Sequence, residues 1–176
     1  QRPMRAPVLD LHRFAGGLVP FKTGGNQTAT LDFHGADGRR YVFRSIEKNS
    51  GVSRDRDLQR TPVEHLLQDQ VSAGEPAAVG IADRLQRAAG VLHPRPTLVV
   101  IPDDPALGEY RARFAGVIGY LEVKPAAGGD DVETFAGADR VRDSDELLDD
   151  LDESLRHRVD ARAYLTARLL DAVIGD

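Results

Sequence analysis

Residues 24–48, GGNQTATLDFHGADGRRYVFRSIEK, decide the fold of this chain. They open with two glycines, which adopt the backbone angles of a sharp turn without steric cost. Two stretches of alternating polar and apolar residues follow, from Thr28 to His34 and from Arg39 to Ile46, as in half-buried strands. The intervening residues Ala36-Asp37-Gly38 are typical of a tight hairpin turn. The stretch therefore predicts a glycine turn followed by an antiparallel hairpin.

The second strand of this hairpin places a basic residue among apolar ones. Successive side chains of a strand point to opposite faces, so Tyr41 and Phe43 share one face and Val42, Arg44 and Ile46 share the other. We therefore expect Arg44 on an otherwise buried face. A buried guanidinium is costly unless an anion accompanies it.

The anion that accompanies Arg44 has two candidate identities. It is either a carboxylate of the following helix, Glu64 or Asp69, or a ligand phosphate, which the planar guanidinium binds well. The alternative is a structural ion pair, or a side chain that reaches solvent. Lys48 is the competing basic residue, and exposure to solvent is its simpler interpretation.

The glycine turn is the second candidate phosphate contact. Consecutive backbone N–H groups in such a turn can point at phosphate oxygens; here they belong to Gly24, Gly25, Asn26 and Gln27. The turn matches neither a Walker loop nor a GxGxxG motif. The alternative is a turn that simply connects two strands.

The remaining strands and helices predict an α+β fold. Further strands are expected at residues 17–23, where Pro20 indicates an edge strand, at 97–101 and at 117–123. Together with the hairpin they give an antiparallel sheet of about five strands. Predicted helices, each with an apolar stripe expected to be buried, span residues 61–74, 76–90, 143–155 and 159–174, and a short helical or irregular segment spans 106–115.

The same pattern suggests two lobes. Residues 1–16 are expected to be a linker, 17–125 a small lobe of the sheet with two packed helices, 126–142 a second linker that contains AAGGDD, and 143–176 the first helices of a truncated helical lobe.

Composition excludes several functions. The net charge of −5 argues against general nucleic-acid binding. The chain contains no cysteine and no run of about 18 apolar residues, so thiolate metal sites and direct membrane insertion are not expected. The five histidines lack metal-ligand spacing. Neither a metal site nor a catalytic residue is predicted.

Several segments, taken in order, resemble one class of protein: APVLDL, GGNQT, DGRRYVFRSIEK, LVVIPDDPALGEYR and VDARAYLTARLLDAVIGD. They are similar to the middle region of large bacterial surface proteins. In those proteins a metallophosphoesterase-like domain precedes this region and a BamA/TamA-type outer-membrane barrel often follows. The resemblance covers nearly all of the chain. It implies a location in the bacterial cell envelope, with the adjoining phosphoesterase-like and barrel domains as partners.

The order of elements also resembles the front half of an atypical kinase, in outline similar to HipA-type kinases, type II phosphatidylinositol 4-kinases and secreted Golgi kinases. The resemblance implies that residues 24–27 cover the phosphates. Arg44 would stand at the position of the strand lysine, with Asp69 or Glu64 as its helix partner. Glu122 and Val123 would offer backbone groups to an adenine.

Two departures limit this resemblance. An arginine replaces the lysine, and the catalytic and magnesium-binding segments are absent, with the catalytic acid expected just beyond Asp176. ATP and magnesium are thus expected in the complete protein, while this chain alone should hold no cofactor and turn over no nucleotide. The alternatives are a non-catalytic binding module of a cell-envelope protein, and a purely structural α+β domain in which Arg44 is paired internally.

Overall fold

The computed structural model describes residues 5–24, 28–48, 78–125, 135–138 and 140–174, with the backbone alone at 47 and 48. These residues form an α+β structure with an antiparallel sheet of five strands and four α-helices. This architecture confirms the predicted fold class. The chain divides into one unit of residues 1–78 and 96–124, which contains the sheet, and a second of residues 79–95 and 125–176.

The sheet has the spatial order β1-β2-β3-β5-β4, and all neighbours are antiparallel. Its strands are β1 (Leu18–Gly24), β2 (Thr28–Gly35), β3 (Arg40–Lys48), β4 (Thr97–Val100) and β5 (Ile118–Val123). The predicted edge position of the strand that contains Pro20 is confirmed, since β1 lies at one end of the sheet.

The hairpin of β2 and β3 forms as the alternation predicts. Leu31 pairs with Phe43, and Phe33 with Tyr41, so the large apolar residues of both strands share a face. The turn between them is fixed by Asp37, which accepts hydrogen bonds from the Arg39 backbone N–H at 3.1 Å and the Tyr41 hydroxyl at 2.5 Å. Burial, together with the Asp37 carboxylate, raises the pKa of Tyr41 to about 12.

The core lies against this face of the sheet. Phe33, Phe43 and Phe114 are fully buried, and the rings of Phe43 and Phe114 meet edge to face with centroids 6.3 Å apart. Phe114 comes from the short segment after β4, which runs as a 3₁₀-helix from Pro105 to Tyr110 and then as helix α2 (Arg111–Phe114). The segment covers the sheet because its apolar residues have no other surface on which to bury.

The N-terminal segment belongs to this core, which differs from the linker expected over residues 1–16. Leu9 and Leu11 are 4% and 2% exposed. The Leu9 N–H donates to the Val100 carbonyl at 2.8 Å, and the Val100 N–H donates to the Pro7 carbonyl at 2.9 Å. The segment thus pairs with β4, an edge strand whose outer backbone groups need partners.

The remaining helices are α1 (Ala78–Ala89), α3 (Ser144–Glu153) and α4 (Ala161–Ile174). Gly90, with φ of 70°, follows α1 as the predicted stop. Asp143 and Glu146 form a capping box at the start of α3. These features confirm three predicted helices, whereas the helix predicted from Thr61 lies outside the described residues.

The apolar stripes of these helices are less buried than predicted. In α1, Val79 and Leu85 are 43% and 41% exposed, and the buried position is Asp83. Helices α3 and α4 bury none of their described residues, and Tyr164 is 50% exposed. Helical periodicity identifies an apolar stripe, but burial also requires a surface to pack against.

The division into units differs in one respect from the expected lobes. It falls after Lys124, close to residue 125, where the sequence places the end of the small lobe. Residues 79–95, which contain most of α1, group with the helices that follow residue 125 and not with the sheet. The sheet unit, without residues 79–95, is therefore the structural frame for the candidate site.

Gly119 of β5 lies where the sheet has no room for a side chain. A Cβ added there would overlap the Arg44 carbonyl oxygen and the Phe43 ring. We expect Gly119→Ala to lower the free energy of unfolding by about 2–3 kcal/mol, because neither neighbour can move without disturbing the sheet. Urea unfolding followed by circular dichroism measures the change. Ala112→Ser, an exposed change of the same size, should stay within about 0.5 kcal/mol. Equal stability of the two variants would contradict the packing described.

Candidate functional site

The face of the hairpin opposite the core carries the candidate site. Val42 and Arg44 lie on this face, as predicted, and Val42 is 3% exposed. The Arg44 side chain, however, is 52% exposed, as in the alternative in which this side chain reaches solvent. The register explains the difference, since Val42 lies between Asp32 and Glu122 of the neighbouring strands, whereas the longer Arg44 side chain reaches solvent.

A cavity of about 260 Å³ opens on this face of the sheet. Its walls come from β1, β2, β3 and the residue after β5. The lining is mostly polar or charged and consists of Lys22, Thr23, Gly24, Thr30, Asp32, Val42, Arg44 and Lys124.

Two ion pairs cross the strands at this site. Lys124 Nζ lies 2.7 Å from Asp32 Oδ2, and Arg44 Nε lies 3.1 Å from Glu122 Oε1. The two pairs differ in burial: the Asp32 side chain is 9% exposed and that of Glu122 is 20% exposed. With Lys22 included, three cations face two carboxylates, so this group of side chains carries an excess of positive charge.

A further cation, from α2, contacts Thr23, one of the residues that line the cavity. Arg113 Nη1 donates to Thr23 Oγ1 at 3.1 Å, and the Thr23 hydroxyl donates to the Thr30 carbonyl at 2.9 Å. The Arg113 guanidinium also lies 5.3 Å from the centroid of the Phe114 ring. These contacts fix the end of β1, next to the predicted glycine turn.

The structure brings together some of the residues predicted from sequence. Gly24 and Arg44 line the same cavity, and Glu122 contacts Arg44. Lys48 ends β3, where its backbone pairs with Thr28. The other predicted positions lie outside the described residues: Gly25, Asn26, Gln27, Glu64, Asp69 and the side chain of Lys48.

Glu122 and Val123 direct their backbone groups to opposite edges of β5. The Lys124 N–H donates to the Arg40 carbonyl of β3 at 2.8 Å. Backbone groups alternate along an antiparallel strand, so those of Glu122 also face β3. Those of Val123 face the other edge, two residues beyond the last pair that β5 makes with β4, Thr97 with Leu121. Of the two residues, Val123 has the geometry for a backbone contact with a ligand.

Three residues of the site were not predicted from the sequence: Lys22, Asp32 and Lys124. Asp32 could have been assigned to this face, because it alternates with the core residues Leu31 and Phe33. Lys124 lies in phase with Glu122, two residues earlier. Only the strand register, however, brings Lys124 to Asp32 across β3.

A second polar cluster lies within the helical unit. Asp83 is 6% exposed and pairs with Arg87 one turn later in α1. His93 Nε2 lies 3.1 Å from Asp83 Oδ1, and its Nδ1 lies 2.7 Å from the Val91 carbonyl oxygen. Burial acts to raise the pKa of Asp83, but hydrogen bonds from Arg87 and His93 outweigh it and hold that pKa below its ordinary value.

The two ion pairs of the sheet should differ in their contribution to stability. Lys124→Met leaves the buried Asp32 carboxylate without its partner, so we expect a loss of about 2 kcal/mol in the free energy of unfolding. Arg44→Met breaks a more exposed pair and should cost less than about 1 kcal/mol. Urea denaturation of both variants at pH 7 measures this order. The reverse order would show that Asp32 has another partner.

The cluster of Asp83, Arg87 and His93 should stabilise the folded protein at every pH except an acidic one. Because the folded pKa lies below the unfolded value of about 3.9, the contribution is complete above that value and is lost as the pH falls through the folded pKa. Asp83→Asn should therefore flatten the loss of stability between about pH 5 and pH 2. Asp152→Asn, at an exposed position of α3, is the control. Parallel pH profiles for the wild type and Asp83→Asn would contradict this expectation.

No helix among the described ranges is both long and apolar enough to cross a membrane. In the same ranges, no three His, Asp or Glu side chains come together as a metal site. Family models, curated proteins and solved structures contain no significant match to this chain.

Proposed function

We propose that the sheet unit is the nucleotide-phosphate-binding lobe of an atypical kinase-like phosphotransferase, inactive as an isolated chain. One observation carries the proposal: Arg44 projects from β3 into a cavity that Gly24 also lines. A basic side chain and the start of a glycine turn thus face one space large enough for phosphate groups.

The chemistry of Arg44 suits a phosphate ligand. Its contact with Glu122 uses the Nε–H group, and a guanidinium carries five N–H donors in a planar fork. Such a fork binds two phosphate oxygens at once. Lys22 and Lys124 line the same cavity, so the local charge favours an anion despite the net charge of the chain.

The size of the cavity supports a phosphate chain more than a whole nucleotide. Its volume of about 260 Å³ lies below the roughly 300–1,000 Å³ of typical small-molecule sites. An adenine would lie outside it, near the backbone of Val123 at the edge of β5, beyond the last pair with β4. Binding of ATP to this chain should therefore be weak, with a dissociation constant on the order of 10⁻³ M.

The internal pairing of Arg44 favours one other candidate function. In a purely structural α+β domain, the role of Arg44 would be limited to its ion pair with Glu122. An exposed ion pair contributes only about 0.2–1 kcal/mol, however, and a half-exposed arginine is not required to fill this face. Stability alone is therefore a weak explanation for an arginine at this position.

In the complete protein the proposed reaction is phosphoryl transfer from ATP. Magnesium would be held by groups outside this chain, and this lobe would position and neutralise the phosphates. The parent protein would belong to the bacterial cell envelope, with phosphoesterase-like and barrel domains beside this region. A non-catalytic module on the same scaffold is the alternative, in which phosphate binding persists without transfer.

Arg44→Ala tests this proposal. Titration with ATP and magnesium, followed by NMR chemical shifts, should move the amides of Gly24, Arg44 and Val123 in the wild type. Arg44→Ala should reduce the affinity at least about tenfold, since a charge-assisted bidentate contact is lost. Arg111→Ala is the matched control, because Arg111 also pairs through Nε, with Asp103 at 2.6 Å, away from the cavity.

Three results would contradict the proposal or part of it. Absence of any shift, together with strong destabilisation by Arg44→Ala, would favour the structural domain. ATP binding without phosphate transfer in the complete protein would favour the non-catalytic module. Phosphate transfer or release above background by the 176-residue chain would overturn its assignment as inactive.

A further inference from the structure

We infer that Glu122 is an internal competitor at the candidate phosphate site: its carboxylate occupies the Nε edge of the Arg44 guanidinium, and a polyphosphate must displace it to engage that edge. This inference rests on the proposed function and specifies how the site is regulated. It assigns to the Glu122 side chain a role that differs from a backbone contact with adenine.

In its contact with Arg44, the Glu122 carboxylate holds a position that a ligand phosphate could also take. Glu122 Oε1 lies 3.1 Å from Arg44 Nε, at a hydrogen-bond distance that a phosphate oxygen would also adopt. Carboxylate and phosphate oxygens are the same kind of acceptor for a guanidinium. A phosphate that engages the Nε edge of the fork therefore needs the position that Glu122 holds.

Exposure makes this contact exchangeable. The side chains of Arg44 and Glu122 are 52% and 20% exposed, so water can replace each partner when the pair separates. The other carboxylate of the site behaves differently. Asp32 is 9% exposed beside Lys124, and its release would leave a charge with little access to water. Asp32 should thus keep its ion pair with Lys124 when a ligand binds, whereas Glu122 can release Arg44.

The strand register makes the contact dependent on side-chain length. Glu122 lies opposite Val42, and Arg44 lies opposite Tyr120. The ion pair therefore runs diagonally between β3 and β5, a separation that only long side chains bridge. Removal of one methylene from Glu122 keeps the charge near the cavity but withdraws the carboxylate from Nε.

Competition of this kind selects the class of ligand. A singly charged carboxylate ligand would replace one carboxylate by another and gain little. A polyphosphate offers several negatively charged oxygens, which can engage Arg44 together with Lys22 or Lys124. The site should therefore prefer pyrophosphate to inorganic phosphate, and inorganic phosphate to acetate.

Titration of the 176-residue chain with sodium pyrophosphate, followed by NMR, tests the competition. Glu122→Gln and Glu122→Asp should both raise the affinity about two- to fivefold over the wild type, the range that the loss of an exposed ion pair allows. Glu109→Gln removes an exposed carboxylate elsewhere in the sheet unit and should leave the affinity unchanged. Glu122→Gln placed in the Arg44→Ala background should have no effect.

Each result supports or overturns the inference. A gain with Glu122→Gln but not with Glu122→Asp would mean that net charge alone matters, and would overturn it. Wild-type affinity in both Glu122 variants, with loss of binding in Arg44→Ala, would overturn the competition and leave the proposed function intact. Absence of binding in the wild type and in both Glu122 variants would overturn both proposals. Circular dichroism of each variant confirms that the sheet is folded.

Discussion

The sheet unit depends on the register of β2 against β3. Leu31 opposite Phe43 and Phe33 opposite Tyr41 place the largest apolar side chains of both strands on one face. Because strand side chains alternate with a period of two, a slip by one residue would turn every one of them towards solvent. The N-terminal segment, β4 and the segment that contains Phe114 all add to the surface that this pairing creates.

The same alternation produces the candidate site. Because the largest apolar side chains of the hairpin pack into the core, Asp32, Val42 and Arg44 occupy the opposite face. Here the strands bring together charges that are distant in sequence: Lys124 reaches Asp32 and Glu122 reaches Arg44. The resulting face holds two internal ion pairs. A phosphate bound at the proposed site would therefore compete with these partners as well as with water.

Different parts of the chain were predictable to different degrees. The hairpin turn at Ala36-Asp37-Gly38, the end of α1 at Gly90 and the start of α3 at Asp143 depend on local signals, and these positions were identified. The burial of the N-terminal segment was not identified, because it depends on pairing with the outer edge of β4, where Leu9 bonds to Val100, 91 residues away in sequence. The exposure of Arg44 was left as one of two alternatives for a related reason. Alternation assigns a side chain to a face but does not say what covers that face.

The sequence by itself determined the strands, their faces and the position of Gly24 beside a basic strand residue, because periodicity and turn chemistry are local properties. Tertiary structure alone decided the partners of each charge. Arg44 pairs with Glu122 of β5, whereas the sequence offered a helix carboxylate or a ligand phosphate, and Asp32 pairs with Lys124. Such pairings depend on strand order and register, since a carboxylate contacts whichever cation the fold brings within reach, whatever their separation along the chain.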